Sequence, residues 1–237
     1  MARPNGVVIV SERYWAFSST DGCLREGAMP HAPELMRHVP LVRGLVRLFG
    51  SLSPLFRRTG AARGRERSLL AFALIAPLAF VFLPGSVSTA AGVLLTGLLL
   101  VVLLRGRALH LHGAEHRAIA AAEERRLAAT WTGAAKPSRI SQRCGTNFAA
   151  IAVPVTLAAD RFWPLPLALY TPLAVLTLSL ALSMELWLAV QRSPARVRAV
   201  VLLPGLLLQR LTTREPRLEE TQLALTAVAS VLRRELA

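Results

Sequence analysis

The sequence predicts an all-α integral membrane protein of two helical hairpins, about four apolar segments, with a small, partly β N-terminal portion on the cytoplasmic side. Two observations carry this expectation. The chain of 237 residues is 53% hydrophobic and only 18% charged, which is greasy for a water-facing domain of its size. Its charges are also segregated: none falls between residues 68 and 104, and between 146 and 190 only Asp160, Arg161 and Glu185 are charged. The 28 Lys and Arg residues, all but Lys136 arginine, exceed the 14 acids by 14 and flank the apolar blocks, as the positive-inside rule expects of a membrane chain. The same composition excludes a disordered chain. A disulfide scaffold is excluded too, because Cys23 and Cys144 are the only cysteines and lie far apart.

Residues 1–67 are expected to be a cytoplasmic segment. Residues 7–17 read as strand, Asp21-Gly22 suits a hairpin turn, and Leu41, Val42, Leu45, Leu48, Phe49 and Leu52 form one face of a helix. That helix either lies on an anionic leaflet or packs on the chain's own core. Residues 68–104 would span about 55 Å as one helix, nearly twice the ~30 Å hydrocarbon core, so Pro84-Gly85 is read as the turn of a first membrane hairpin. Residues 105–145 form a cytoplasmic helical link. Residues 146–192 form a second hairpin with its tip at Asp160-Arg161 and with Trp163 and Trp187 near opposite interfaces. Residues 193–237 close the chain with an interfacial segment, interrupted at Pro204-Gly205, and a final helix presenting Leu218, Leu225, Val228 and Leu232 on one side. No cleavable signal peptide is expected, and both termini are placed in the cytoplasm.

The sharpest chemical signal is His112-Gly113-Ala114-Glu115-His116. Two imidazoles four residues apart on a helix share a face and can reach one metal ion, while Glu115 can orient a water or take its proton. Glu123 continues the stripe, two turns on. The competing view treats these as interfacial polar residues that bond to backbone. His110 is out of phase with the stripe, and His31 and His38 receive no role. Folding the apolar blocks back twice would bring Cys144 and Glu185 to the level of the histidines, so either is a candidate third ligand. Glu185, an acid within an apolar segment, needs a partner in any case.

Four ordered motifs resemble the YqhQ-like family of bacterial multi-pass membrane proteins, a family of unknown function described as predicted metal-dependent enzymes. They are His112-Gly113-Ala114-Glu115-His116-Arg117 with Glu123, Arg143-Cys144-Gly145-Thr146-Asn147-Phe148, Ser183-Met184-Glu185, and Pro204-Gly205-Leu206-Leu207-Leu208-Gln209 running into Leu211-Thr212-Thr213-Arg214-Glu215-Pro216. The resemblance implies location in a bacterial inner membrane. The order H-x-x-E-H is also that of the inverted zinc proteases, although the rest of their fold is absent.

These readings make the expected site a divalent metal centre, zinc by its donor types, at the cytoplasmic face. His112 and His116 are its ligands, Glu185 or Cys144 joins them, Glu115 acts as base, and Glu123, Arg143 and Thr146 support the ligands from behind. Hydrolysis of a peptide or lipid-borne bond is the simplest matching chemistry. The alternative is a non-catalytic membrane scaffold or assembly factor. The expected partners are anionic lipid headgroups and a cytoplasmic protein, with no specific nucleic acid.

Overall fold

The computed structural model describes residues 1–57, 60–62, 64–80, 83, 86–87, 90–95, 98, 106–165 and 170–237. Its N-terminal portion is a four-stranded antiparallel meander, β1 (Ala2–Arg3), β2 (Gly6–Val10), β3 (Tyr14–Ser19) and β4 (Leu24–Ala28), in the order β1-β2-β3-β4. Gly22 turns the chain from β3 to β4 at φ 82°, a conformation glycine adopts without steric cost.

Strand periodicity divides β2 and β3 between two faces. Val7, Ile9 and Ala16 face one way, and Val8, Trp15 and Phe17 face the other with Met29 and Ala61. Both faces are covered, so residues 7–10 form an unbroken apolar run rather than an alternating one. The first face packs on α4 (Arg107–Glu123) and α9 (Leu218–Leu236). Leu111, Ala114, Ala118 and Ala121 recur along one side of α4, and Ala224, Leu225, Ala227, Val228 and Val231 along α9. The alanines give the seam little bulk, so the two helices can approach closely. Polar ties close the edges: Glu235 accepts from Ser11 at 2.6 Å and Arg13 at 2.7 Å, and Glu26 accepts from Ser230.

The remaining described helices are α1 (Glu34–His38), α2 (Val42–Phe56), α3 (Gly64–Ala79), α5 (Leu127–Trp131), α6 (Gly145–Arg161), α7 (Thr171–Arg192) and α8 (Ala195–Thr212). Helix α6 packs on α7 and α8 around Ile151, Val190 and Leu202. Pro204-Gly205 does not interrupt α8. It marks the crossing with α6, where a Cβ on Gly205 would lie 2.3 Å from Asn147 Oδ1 and 2.5 Å from its Cα.

Helix α2 packs on the chain's own α7, where a Cβ on Gly44 would approach Met184 Cβ to 2.8 Å. Its entry is strained. Leu41 sits at φ 68° in a γ-turn closed by the Val42 N–H to the Pro40 carbonyl at 2.8 Å. Glu185 braces this turn, accepting from the Leu41 N–H at 3.0 Å and from the Arg43 guanidinium at 2.5–3.1 Å.

The fold corrects the all-α, two-hairpin membrane architecture expected from the sequence: it is mixed α/β, with a sheet and two helices sharing one core. Among the described residues one helix, α7 with 22 residues, is long and apolar enough to cross a membrane. Helix α6 has 17 residues, about 25 Å, short of the ~30 Å hydrocarbon core. Helix α8 carries Arg196, Arg198 and Arg210. Of the expected first hairpin, α3 ends at Ala79, and the expected turn at Pro84-Gly85, with most of residues 81–105, lies outside the described residues. Hydropathy misled because it counts apolar residues over a block and not the length and apolarity of each helix into which the block folds. Much apolar surface still faces outward, including Val153 and Leu157 on α6, Leu173 on α7, and Val200, Leu203 and Leu211 on α8.

Candidate metal centre

Helix α4 is shared between core and site. Its Leu111–Ala121 side meets the sheet and α9, while His112 and His116 stand on another side with ring centroids 4.5 Å apart and planes at 65°. The extended segment after α8 crosses α4 at Gly113, where a Cβ would lie 2.2 Å from the Arg214 carbonyl oxygen. Three bonds fasten this crossing. The Arg214 N–H donates to the Leu109 carbonyl at 3.0 Å, His110 Nδ1 pairs with the Glu215 carbonyl at 2.8 Å, and His112 Nδ1 pairs with the Thr212 carbonyl at 2.8 Å. His116 Nδ1 reaches the Arg139 carbonyl, also at 2.8 Å. A carbonyl can only accept, so Nδ1 of each ring carries a proton, and Nε2 is the ring atom left to meet a sulfur or a metal ion.

Cys144 caps the N-terminus of α6 and meets these rings. Its Sγ lies 3.2 Å from His112 Nε2, and a ligand atom from each of His112, His116 and Cys144 falls within 4.8 Å of the others. Thr146 supports the sulfur, placing its hydroxyl at 3.3 Å and its N–H at 3.5 Å from Sγ. His116 and Cys144 are buried and His112 is half-buried.

The cluster is electrostatically coupled. Burial pushes the Cys144 thiol up, but hydrogen bonding to His112 and His116, together with their charge, brings it down to about 5. Burial works against a charged His112, yet Cys144, Glu115 and the Thr212 carbonyl leave its pKa raised. For Glu115 burial is again the largest influence and opposes charge. The Met1 amino group, 2.5 Å away, with His116 and His112, overcomes it and leaves the carboxyl below its usual range. In metal-free protein with Cys23→Ser, thiolate absorbance is expected to titrate at about 5 and to move toward the ordinary thiol value in His112→Ala. A titration near 9 in the parent would contradict this coupling. A thiol depressed on folding stabilises the fold fully only above its unfolded value, and that contribution is lost as pH falls toward about 5.

The other residues expected at the site are placed as follows. Glu185 is engaged by Arg43 and Leu41, so the structure brings Cys144, not Glu185, to the histidines. Glu123 and Arg143 pair with each other at 2.6 Å on exposed surface. Thr146 touches the Cys144 sulfur directly. Sequence reasoning missed the Thr212 and Arg139 carbonyls, which aim the rings, because a backbone acceptor leaves no residue signature. The glycine inside the histidine motif is the one local hint that a chain crosses there.

The fold and site together define a mixed α/β protein with a largely buried two-histidine, one-cysteine cluster. The chain belongs to a family of proteins of unknown function, DUF1385, whose model matches residues 69–234 and so takes in α4, Cys144 and the segment over Gly113. No curated protein and no solved structure matches the chain.

Proposed function

We propose that His112, His116 and Cys144 hold a divalent metal ion, most suitably zinc, and that this centre is the functional site of the chain. One observation carries the reading: each imidazole is tied at Nδ1 to a backbone carbonyl, which leaves both Nε2 atoms available beside one sulfur. Metal-binding histidines are commonly anchored in this way, because the second nitrogen fixes the tautomer and the ring plane. Two nitrogens and a thiolate suit zinc, which is borderline between hard and soft donors. Three protein ligands leave a fourth tetrahedral position for a substrate atom, the pattern of catalytic rather than structural zinc sites. A bound ion would act there as a Lewis acid, which matches hydrolysis of a peptide or lipid-borne bond.

The residues around the ligands have definite parts in this reading. Thr146 stabilises the thiolate form of Cys144, the form that binds metal. Glu115 stays ionised, its charge shared between the Met1 amino group and the two rings. Its low pKa makes it a weak proton acceptor at neutral pH, so its larger part is electrostatic.

Elemental analysis of the purified full chain tests the proposal. About one zinc per chain is expected, with loss of nearly all of it in the His112→Ala, His116→Ala double variant. Cobalt(II) in its place should show thiolate charge-transfer absorption that disappears in Cys144→Ala. A folded parent that takes up no stoichiometric metal, even when zinc is supplied, rules the proposal out.

A further inference from the structure

We infer that Arg139 is a positioning residue for this centre, joining the two backbone acceptors that aim the two histidines. The inference rests on the metal reading above and deepens it. His116 and His112 lie on one helix, but their Nδ1 partners come from chain segments far apart in sequence: the Arg139 carbonyl from the link before α6, and the Thr212 carbonyl from the end of α8. Their register depends on contacts between those two segments, one at Gln209 on α8 and one at Thr213, directly beside the His112 acceptor.

Arg139 supplies the contact at Thr213 through its own side chain. Its Nη1 donates to the Thr213 carbonyl at 2.6 Å and to the Thr213 hydroxyl at 2.8 Å, one residue beyond the carbonyl that holds His112. Its Nε lies 3.7 Å from the Glu215 carboxylate, which also accepts from Arg117 at 2.8 Å. One residue therefore holds the first ring with its backbone and the segment behind the second ring with its guanidinium. Thr213 is 1% exposed, so the contact is not a loose surface pair. The planar guanidinium reaches a carbonyl, a hydroxyl and a carboxylate together, which a lysine ammonium does less well.

The link before α6 has other anchors. Gln209 accepts the Ser141 N–H and donates to the Ser141 carbonyl, each at 2.8 Å, and Arg117 donates to the Pro137 carbonyl at 3.1 Å. Those bonds hold the link to α4 and to α8 one turn before Thr213. The bond to Thr213 ties it to the residue next to the His112 acceptor. Loss of the Arg139 side chain should then leave the fold in place while letting the two rings drift relative to each other.

The test compares wild type, Arg139→Ala and Arg139→Lys as full chains, with zinc affinity measured by competition against a chromophoric chelator. Arg139→Ala should bind zinc about 10–100-fold more weakly, the range for loss of groups that orient metal ligands. Its metal-free unfolding midpoint should stay close to that of wild type, and its cobalt(II) absorption should change in position or intensity. Arg139→Lys should recover part of the affinity. Affinity within about twofold of wild type and an unchanged cobalt spectrum in Arg139→Ala would overturn the inference and leave the metal reading standing. Wild type that binds no metal would overturn both. Should Arg139→Ala not fold, Arg139→Lys decides: wild-type affinity and spectrum there overturn the inference, and weakened binding supports it.

Discussion

Gly113→Ala is expected to cost about 3 kcal/mol of stability and to abolish tight metal binding. Elsewhere in a helix the same change helps, because alanine is favoured over glycine by roughly 1 kcal/mol. At Gly113 the new Cβ would stand 2.2 Å from the Arg214 carbonyl oxygen, a backbone atom that cannot rotate away. The segment over α4 must lift, which weakens the Arg214 bond to Leu109 and the carbonyl contacts of His110 and His112. Overpacking costs about 1–3 kcal/mol and each lost hydrogen bond about 0.5–1.5, more than the propensity gain returns. Gly50→Ala is the internal control, since a Cβ at that helical position in α2 meets nothing within 4 Å and should be neutral or stabilising. Urea unfolding and zinc affinity of both variants check the pair. Wild-type stability in Gly113→Ala would mean that the segment does not lie where it is described.

Leu111→Ala should separate core from site. Leu111 is fully buried among the sheet, α4 and α9, and truncation of such a leucine costs about 2–5 kcal/mol through lost burial and the cavity left behind. The ligand atoms of the neighbouring His112 and the Thr212 carbonyl keep their own bonds. The variant should therefore unfold at lower denaturant yet, below its transition, still take up one metal per chain. If zinc uptake vanished while the fold persisted, core and site would not be independent in the way the two sides of α4 suggest.

How far the sequence alone leads depends on whether a signal is local. The i, i+4 spacing of His112 and His116 is enough to put them on one helical side, and Cys144 was one of two candidates to join them. The choice between Cys144 and Glu185 was not legible, because it turns on whether Arg43, 142 residues away, captures the carboxylate first. The turn at Asp21-Gly22 carries its own residue signature. The joint core of sheet, α4 and α9 does not, since the pairing of Val7 and Ile9 with Ala224 and Val228 is a contact between the two ends of the chain. Net apolarity was the misleading signal. It reports how much greasy surface a helix owns but not what lies against it, and the helices after residue 144 divide theirs between neighbours and the outside.

The wall that α4 forms between the two regions has a thermodynamic corollary. Any ion that prefers the assembled cluster to the unravelled chain adds its binding free energy to the folded state as a whole, and α4 belongs to both the cluster and the core. Chelation would then act at a distance, loosening strands that never touch the ion.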